Sequence, residues 1–174
     1  MRNLIKIGIL LSLLSVAFWI WYDYTYSMDT IIPFEVNSRA LPTKVLIASQ
    51  GSAFKDSLVQ HIITHYRDKP IYFKIIDAYT LFTVKIDKWD ALIIINSWEY
   101  ASPPKNVKKF IAKHPDQLNK LIILSTIGSY NFNLKEVDMI SGESIIEHTP
   151  LYAKKITNRL DSLLNVHNNP STHD

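Results

Sequence analysis

The sequence predicts a doubly wound α/β domain with a parallel sheet of four to five strands, preceded by one N-terminal transmembrane helix. Short apolar runs without polar alternation are typical of strands that are buried on both faces. These runs alternate with segments of helical periodicity, as in a chain built from βαβ units. At the N-terminus, the apolar segment that starts at Leu4 reaches about the length that one membrane span requires, with Lys6 snorkelling to the interface.

The composition excludes several classes of site. The chain has 174 residues and no cysteine, which excludes disulfides, thiolate metal sites, iron–sulfur clusters and cysteine nucleophiles. The net charge is only +3, and the lysines are scattered among acidic residues without a basic block. This pattern indicates a mildly basic solvated surface, and we expect no nucleic-acid partner.

The first segment, residues 1–28, is predicted to be a membrane anchor. Arg2 and Lys6 precede the uncharged apolar run 7–22, and aromatic residues suited to the headgroup region cluster at its far end: Trp19, Trp21, Tyr22, Tyr24 and Tyr26. A cleaved signal peptide is the alternative, since residues 15–17 resemble a cleavage site, but cleavage would expose the aromatic stretch at 18–22. The uncleaved anchor is favoured. The positive charges before the span place the domain on the extracytoplasmic (periplasmic) side of the membrane.

Three further segments follow the anchor. Residues 29–43 contain Pro33 and Pro42 and are predicted to be a linker with little regular structure. Residues 44–164 form the predicted α/β domain. The polar residues 165–174 are predicted to be a disordered tail.

Five short apolar runs are the predicted strands: Lys44–Ala48, Ile71–Ile76, Ala91–Ile95, Lys120–Leu124 and, less extensively, Val137–Ile140. A helix is predicted from Ala53 with Ser52 as its N-cap, and a second one before Pro115, with Ser102 as its N-cap and Pro103 in its first turn.

The rest of the domain is predicted as an irregular crossover and a final helix. Residues 78–88 show no convincing helix; we expect four apolar residues there to cover the sheet edge, namely Leu81, Phe82, Val84 and Ile86. The final helix starts near Thr149. Its predicted buried face consists of Leu151, Ile156, Leu160, Leu163 and Leu164.

The glycines point to one edge of the sheet. The chain has only four, and Gly51, Gly128 and Gly142 each lie within four residues of the carboxyl end of a predicted strand. Ligands of open parallel sheets bind beyond these ends. Glycine there suits either the close approach of a ligand or simply a tight β-to-α turn, and both interpretations stay open.

The segment Trp89–Pro104 and the helix after it resemble the third strand and the flavin-flanking loop of the flavodoxin-like family. Val45–Lys55 lies where that family has its phosphate loop, and Leu124–Tyr130 where it has a third loop along the flavin. Glu136–Ser144 is similar to an ending found in a membrane-anchored, poorly characterised bacterial branch of the family. The resemblance covers residues 44–164 and implies binding of FMN, or a related phosphorylated ligand, for electron transfer.

The resemblance implies cofactor-binding residues in three loops: Ser49, Gln50, Gly51, Ser52 and Lys55; Ser97, Trp98, Glu99 and Tyr100; and Thr126, Gly128 and Ser129. Backbone N–H groups of the first loop would form a nest for phosphate, with Lys55 adding charge. Trp98 or Tyr100 would stack on the isoalloxazine ring, although Trp98 packing over the crossover is an equal alternative. The chain departs from the family at Phe54, where a small hydroxyl residue is common, and at Glu99.

Two other functions remain open from the sequence. A cofactor-free domain would dock a redox or assembly protein partner at the membrane through the Trp98/Tyr100 loop. A hydrolase would use Asp138 and Glu143 at the same edge, but no residue is assigned a catalytic role. His61 and His65 have the spacing of a metal-binding pair on a helix, yet no third ligand accompanies them, and we expect solvent-exposed histidines rather than a metal site.

Overall fold

The computed structural model of the protein describes residues 2–26, 29–98, 102–126 and 139–168, and it contains a six-stranded, mostly parallel sheet. The strands are β1 (Phe34–Val36), β2 (Thr43–Ser49), β3 (Ile71–Asp77), β4 (Ala91–Ser97), β5 (Leu121–Thr126) and β6 (Met139–Gly142). Their order is β1-β3-β2-β4-β5-β6. Among the parallel strands alone, this is the order 2-1-3-4-5 of a doubly wound sheet. The predicted fold class is confirmed, with six strands instead of four to five.

The additional strand, β1, lies inside the predicted linker. It pairs antiparallel with β3, so that Glu35 lies opposite Lys74 and their charged groups are 3.9 Å apart. Phe34 and Val36 are half-buried against the core. Three residues are too few to show an alternating pattern, and the strand forms because β3 offers an unpaired edge. The expectation of little regular structure in residues 29–43 was therefore wrong at this point.

The helices are α1 (Arg2–Tyr26), α2 (Ala53–His65), α3 (Lys105–Lys113) and α4 (Thr149–Asn168). The Oγ of Ser52 accepts the N–H of Lys55 and caps α2, as predicted. The N-cap of α3 is Pro104, and not Ser102. A proline disfavours helical geometry in the residue before it, so Pro104 keeps Pro103 out of the helix.

Helix α1 is long and apolar enough to cross a bilayer by length and composition. Its 25 residues span about 37 Å, and its apolar window runs from Ile5 to Tyr22. The hydroxyls of Ser12 and Ser15 donate to carbonyls one turn earlier in the same helix, at 3.0 and 2.9 Å. The two polar side chains are thereby satisfied within the helix, as a lipid environment requires.

Helix α4 starts at Thr149 as predicted, but it differs from its prediction at its C-terminal end and in its buried face. It continues to Asn168, four residues into the predicted disordered tail. Its buried face includes Tyr152 and Ile156, followed by Leu160 and Leu164 at helical spacing, whereas Leu151 is exposed. Consecutive helical residues point about 100° apart, so the burial of Tyr152 turns Leu151 outward.

The crossover between β3 and β4 consists of two short 3-10 segments, Ala78–Thr83 and Ile86–Lys88. Leu81 and Ile86 are buried as predicted, but Phe82 is 78% exposed. The prediction was wrong for Phe82, because a 3-10 turn places adjacent side chains on different faces, and Leu81 takes the inward position.

Neighbouring strand residues enter two separate cores, one on each face of the sheet. Val45 and Ile47 of β2 belong to the cluster under α2 and α4, while Leu46 and Ala48 belong to the cluster under α3 and the crossover. This alternation explains the unbroken apolar runs, since both faces of the parallel strands are buried. Because β2 to β6 pair in parallel, their carboxyl ends lie at one edge of the sheet, called the carboxyl edge below.

Candidate functional site

The carboxyl ends of β2, β4 and β5 are joined by a hydrogen-bonded network. The backbone N–H of Gln50 donates to the carbonyl of Ile95 at 3.1 Å, and its side-chain Oε1 accepts the N–H of Ser97 at 2.7 Å. The hydroxyls of Ser97 and Thr126 are 2.7 Å apart. Three of the loop residues implied by the sequence are thus in contact. They lie at the β2/β4 junction, where the strand order reverses and doubly wound sheets bind ligands.

The loop after β2 is partly filled by the chain itself. The N–H of Gly51 donates to the carbonyl of Asp29 at 2.6 Å. A Cβ on Gly51 would lie 2.5 Å from that carbonyl oxygen, which only glycine avoids. Ser49 is also buried, with its hydroxyl donating to the carbonyl of Gln50. The N–H of Gly51, predicted with those of Ser49 and Ser52 for a phosphate nest, therefore already has an acceptor within the protein, and so does the N–H of Gln50.

Lys55, in the first turn of α2, is the unusual residue of this loop. Its side chain is 0% exposed, and its Nζ has no hydrogen-bond partner in the described part of the chain. Burial lowers the pKa of its amine to about 8, against the opposing effect of the nearby Asp56 carboxylate. A buried amine without a partner is costly unless an anion meets it.

Asn96, which the sequence analysis did not include in the site, is a second buried donor at this edge. Its Oδ1 accepts the hydroxyl of Ser125 at 2.6 Å, while its Nδ2 has no partner within the described ranges. Asn96 follows Ile95 on β4 and so faces the α3 side of the sheet, opposite Lys55. The available sequence signal was a polar residue directly after the buried Ala91–Ile95 run.

Trp98 is half-buried against the core cluster that includes Leu81 and Ile86 of the crossover. Its backbone N–H donates to the carbonyl of Thr126 at 3.1 Å and prolongs the β4–β5 ladder. This packing is the alternative to flavin stacking that the sequence left open. Four further residues of the sequence-predicted site lie outside the described residues and stay predictions: Glu99, Tyr100, Gly128 and Ser129.

The remaining candidates of the sequence analysis show no common site. Glu143 is exposed, its N–H donates to the hydroxyl of Tyr152, and Asp138 lies outside the described residues. His61 and His65 are exposed on α2. Among the described residues, no group of three or more histidines or carboxylates could hold a metal ion.

Comparisons with known proteins show the fold alone. No family model and no curated protein matches the chain. A flavodiiron core from Synechocystis is 11% identical, with a TM-score of 0.52 over 74% of this chain and 38% of that chain. An archaeal flavodoxin is 10% identical, with a TM-score of 0.47 over 70% of this chain and 99% of that one. A WrbA-like flavodoxin from Agrobacterium tumefaciens is 14% identical, with a TM-score of 0.39 over 69% and 98%.

The chain spans little more than a third of the flavodiiron chain that it matches. That match and the strand order agree on a flavodoxin-like fold. At identities this low the likeness concerns the backbone, and it assigns no ligand to the carboxyl edge.

Proposed function

We propose, on the premise of the flavodoxin-like fold, that this is a membrane-anchored domain that binds FMN or a related phosphorylated ligand at the carboxyl edge for electron transfer. The observation that carries the proposal is Lys55, a fully buried amine without a partner in the described part of the chain, beside a helix N-terminus. An anionic phosphate is the partner that this position lacks.

The residues of the first loop fit a phosphate in part. Lys55 supplies a positive charge, and the N–H groups of Ala53 and Phe54 in the first turn of α2 have no intrahelical acceptor. The N–H groups of Gln50 and Gly51 take no part, because protein carbonyls already accept them. FMN, when bound, supplies one- and two-electron chemistry, and this chain's residues would bind and orient it.

The membrane part of the proposal rests on α1. Its apolar window has a mean hydropathy of 1.8 and is entirely unburied by the rest of the protein, as expected for a helix that lipid covers. Arg2 before the window and Lys6 at its start orient the helix with its N-terminus in the cytoplasm, which puts the domain on the extracytoplasmic side.

The test uses the full chain in detergent micelles with added FMN, and separately with inorganic phosphate. We expect a yellow complex and a raised unfolding temperature for the wild type. Lys55→Met should lose both effects, whereas Lys109→Met, at an exposed lysine of α3, should keep them. The absence of any flavin spectrum or thermal shift in the wild type would rule out the FMN version, and equal binding by Lys55→Met would contradict the assignment of the phosphate position.

A second candidate function is favoured by one observation. The Asp29 carbonyl already accepts the N–H of Gly51 and fills the space beside this glycine. A ligand therefore has less access to the backbone of this loop. A cofactor-free domain that docks a redox or assembly protein through the Trp98/Tyr100 loop agrees with this reduced access. It predicts that Trp98→Ala loses a co-purifying partner while retaining its folded circular dichroism and any phosphate binding. If the variant keeps the partner, this loop is not the docking site.

A further inference from the structure

The exposed large hydrophobic residues of the domain are concentrated at one place. Outside α1, six such residues are exposed in the described ranges: Ile32, Tyr79, Phe82, Ile145, Ile146 and Leu151. Ile32 is 84% exposed and Phe82 78%. Scattered single hydrophobic residues are ordinary on a protein surface, but six that share one edge are unlike a random distribution.

Each of the six residues, called the apolar rim, belongs to a segment that leaves or enters the carboxyl edge, and Phe82 also lines a pocket along α3 with Phe110 and His114. Tyr79 and Phe82 follow the last residue of β3, Asp77, by two and five positions. Ile145 and Ile146 follow the end of β6 by three and four positions.

The other two members reach the same edge through hydrogen-bonded neighbours. Beside Ile32, the N–H of Ile31 donates to the Asp77 carboxylate at 3.0 Å. Leu151 lies in the first turn of α4, next to Tyr152, whose hydroxyl accepts the N–H of Glu143 just past β6. In the described residues, the amino edge carries no exposed large hydrophobic residue.

The chain connection fixes which edge is nearest to α1. Asp29 is hydrogen-bonded to Gly51 at the carboxyl end of β2, and α1 ends at Tyr26. Three peptide steps reach at most about 11 Å. The seven-residue strands carry the amino edge roughly 20 Å farther away. The carboxyl edge is therefore the one that a membrane holding α1 would meet.

We infer that the apolar rim lies in the lipid headgroup region and docks the domain on the bilayer with its carboxyl edge facing the membrane. The inference rests on the proposed anchoring by α1. Its occupant is lipid, because α1 ends three residues before Asp29, which is hydrogen-bonded at the same edge, and because the rim side chains are aliphatic or aromatic. The exposed charges beside the rim are of both signs, with Glu143 and Glu147 near Ile146 and Lys105, Lys109 and Lys113 near Phe82, so apolar burial drives the contact rather than attraction to anionic lipid. Docking consequently persists in zwitterionic membranes and at high salt.

The absence of cysteine makes a direct test simple. Phe82→Cys, Ile146→Cys and the amino-edge control Asn119→Cys each receive one spin label on the full chain, with a single copy in each phosphatidylcholine nanodisc. Since all three positions are exposed, the labels do not enter the core. We expect the labels at 82 and 146 to collide more often with lipid-soluble oxygen, and several-fold less often with an aqueous nickel complex, than the label at 119.

The experiment distinguishes a failure of membrane docking by the apolar rim from a failure of membrane anchoring by α1. If the chain leaves the nanodisc on alkaline washing, anchoring by α1 fails, and the inference fails with it. If the chain stays in the disc while all three labels are equally accessible from water, the anchoring stands and the rim inference is overturned. One copy in each disc excludes burial of the labels by a second copy of the chain.

Discussion

The strongest prediction concerns the cost of keeping Lys55 buried. Replacing Lys55 by methionine retains the length of the side chain and removes its charge. We expect Lys55→Met to make the ligand-free protein more stable while abolishing phosphate binding. This combination is unusual, since most substitutions of a fully buried residue destabilise a protein.

The magnitude follows from the amine's pKa. Burial lowers it from 10.5 to about 8, which corresponds to a penalty of about 3 kcal/mol for the charged form in the folded state. At neutral pH this penalty is fully present. For a chain of this size, its removal raises the unfolding temperature by about 10 °C.

The pH dependence has a definite sign. Between pH 8 and 10.5 the unfolded chain binds more protons at Lys55 than the folded chain does, because the folded pKa is the lower one. The free energy of unfolding attributable to Lys55 therefore rises with pH across this window and is constant below it. In Lys55→Met this rise should disappear.

The assay is thermal and denaturant unfolding of the full chain in detergent from pH 6 to 10.5, with Lys109→Met as the exposed-lysine control. The control should leave both the unfolding temperature and its pH profile unchanged. A Lys55→Met variant that is less stable than the wild type at pH 7 would refute the reasoning, because it would mean that the amine has a partner in the folded state. Bound phosphate should flatten the wild-type pH profile, since it stabilises the charged amine.

Two predictions concern the packing of α4. Tyr66→Phe removes a buried hydroxyl that lies 2.9 Å from Asp161 Oδ1 and 3.1 Å from the Thr157 carbonyl; we expect a loss of about 1–2 kcal/mol in urea unfolding, and no loss would show that these contacts contribute nothing. Gly142→Ala would place a Cβ 2.2 Å from the hydroxyl of Tyr152, so we expect a loss of about 2 kcal/mol. Wild-type stability would show instead that the Tyr152 ring moves aside freely.

The parallel sheet was predictable because its information is local. Ala91–Ile95 is apolar at every position since both faces of β4 are buried, and no partner strand is needed to recognise this pattern. The start of α2 was predictable for a similar reason, because the capping bond joins Ser52 and Lys55 within one turn. Strand β1 was not predictable, since its three residues become a strand only through their pairing with β3.

The site was less predictable than the fold. Gln50, Ser97 and Thr126, which the family resemblance put in three loops beside a ligand, are joined by hydrogen bonds in the structure. The use of their hydrogen bonds was not foreseen: Gln50 employs both its N–H and its Oε1 to join β2 to β4. Nothing in the local pattern of residues 29–43 indicates that Asp29 returns to Gly51, because that contact joins residues 22 positions apart.

Two glycines at the carboxyl edge, Gly51 and Gly142, illustrate how contacts between distant residues change the evidence for a ligand. At the sequence level, glycines at strand ends suit either a ligand or a turn. In the structure, the space beside Gly51 is taken by the carbonyl of Asp29, and the space beside Gly142 by the ring of Tyr152. Both glycines are thus required by the close approach of the protein's own chain, and neither supports a ligand. The support for an anionic ligand therefore comes from Lys55, because its buried amine has no hydrogen-bond partner in the described part of the chain.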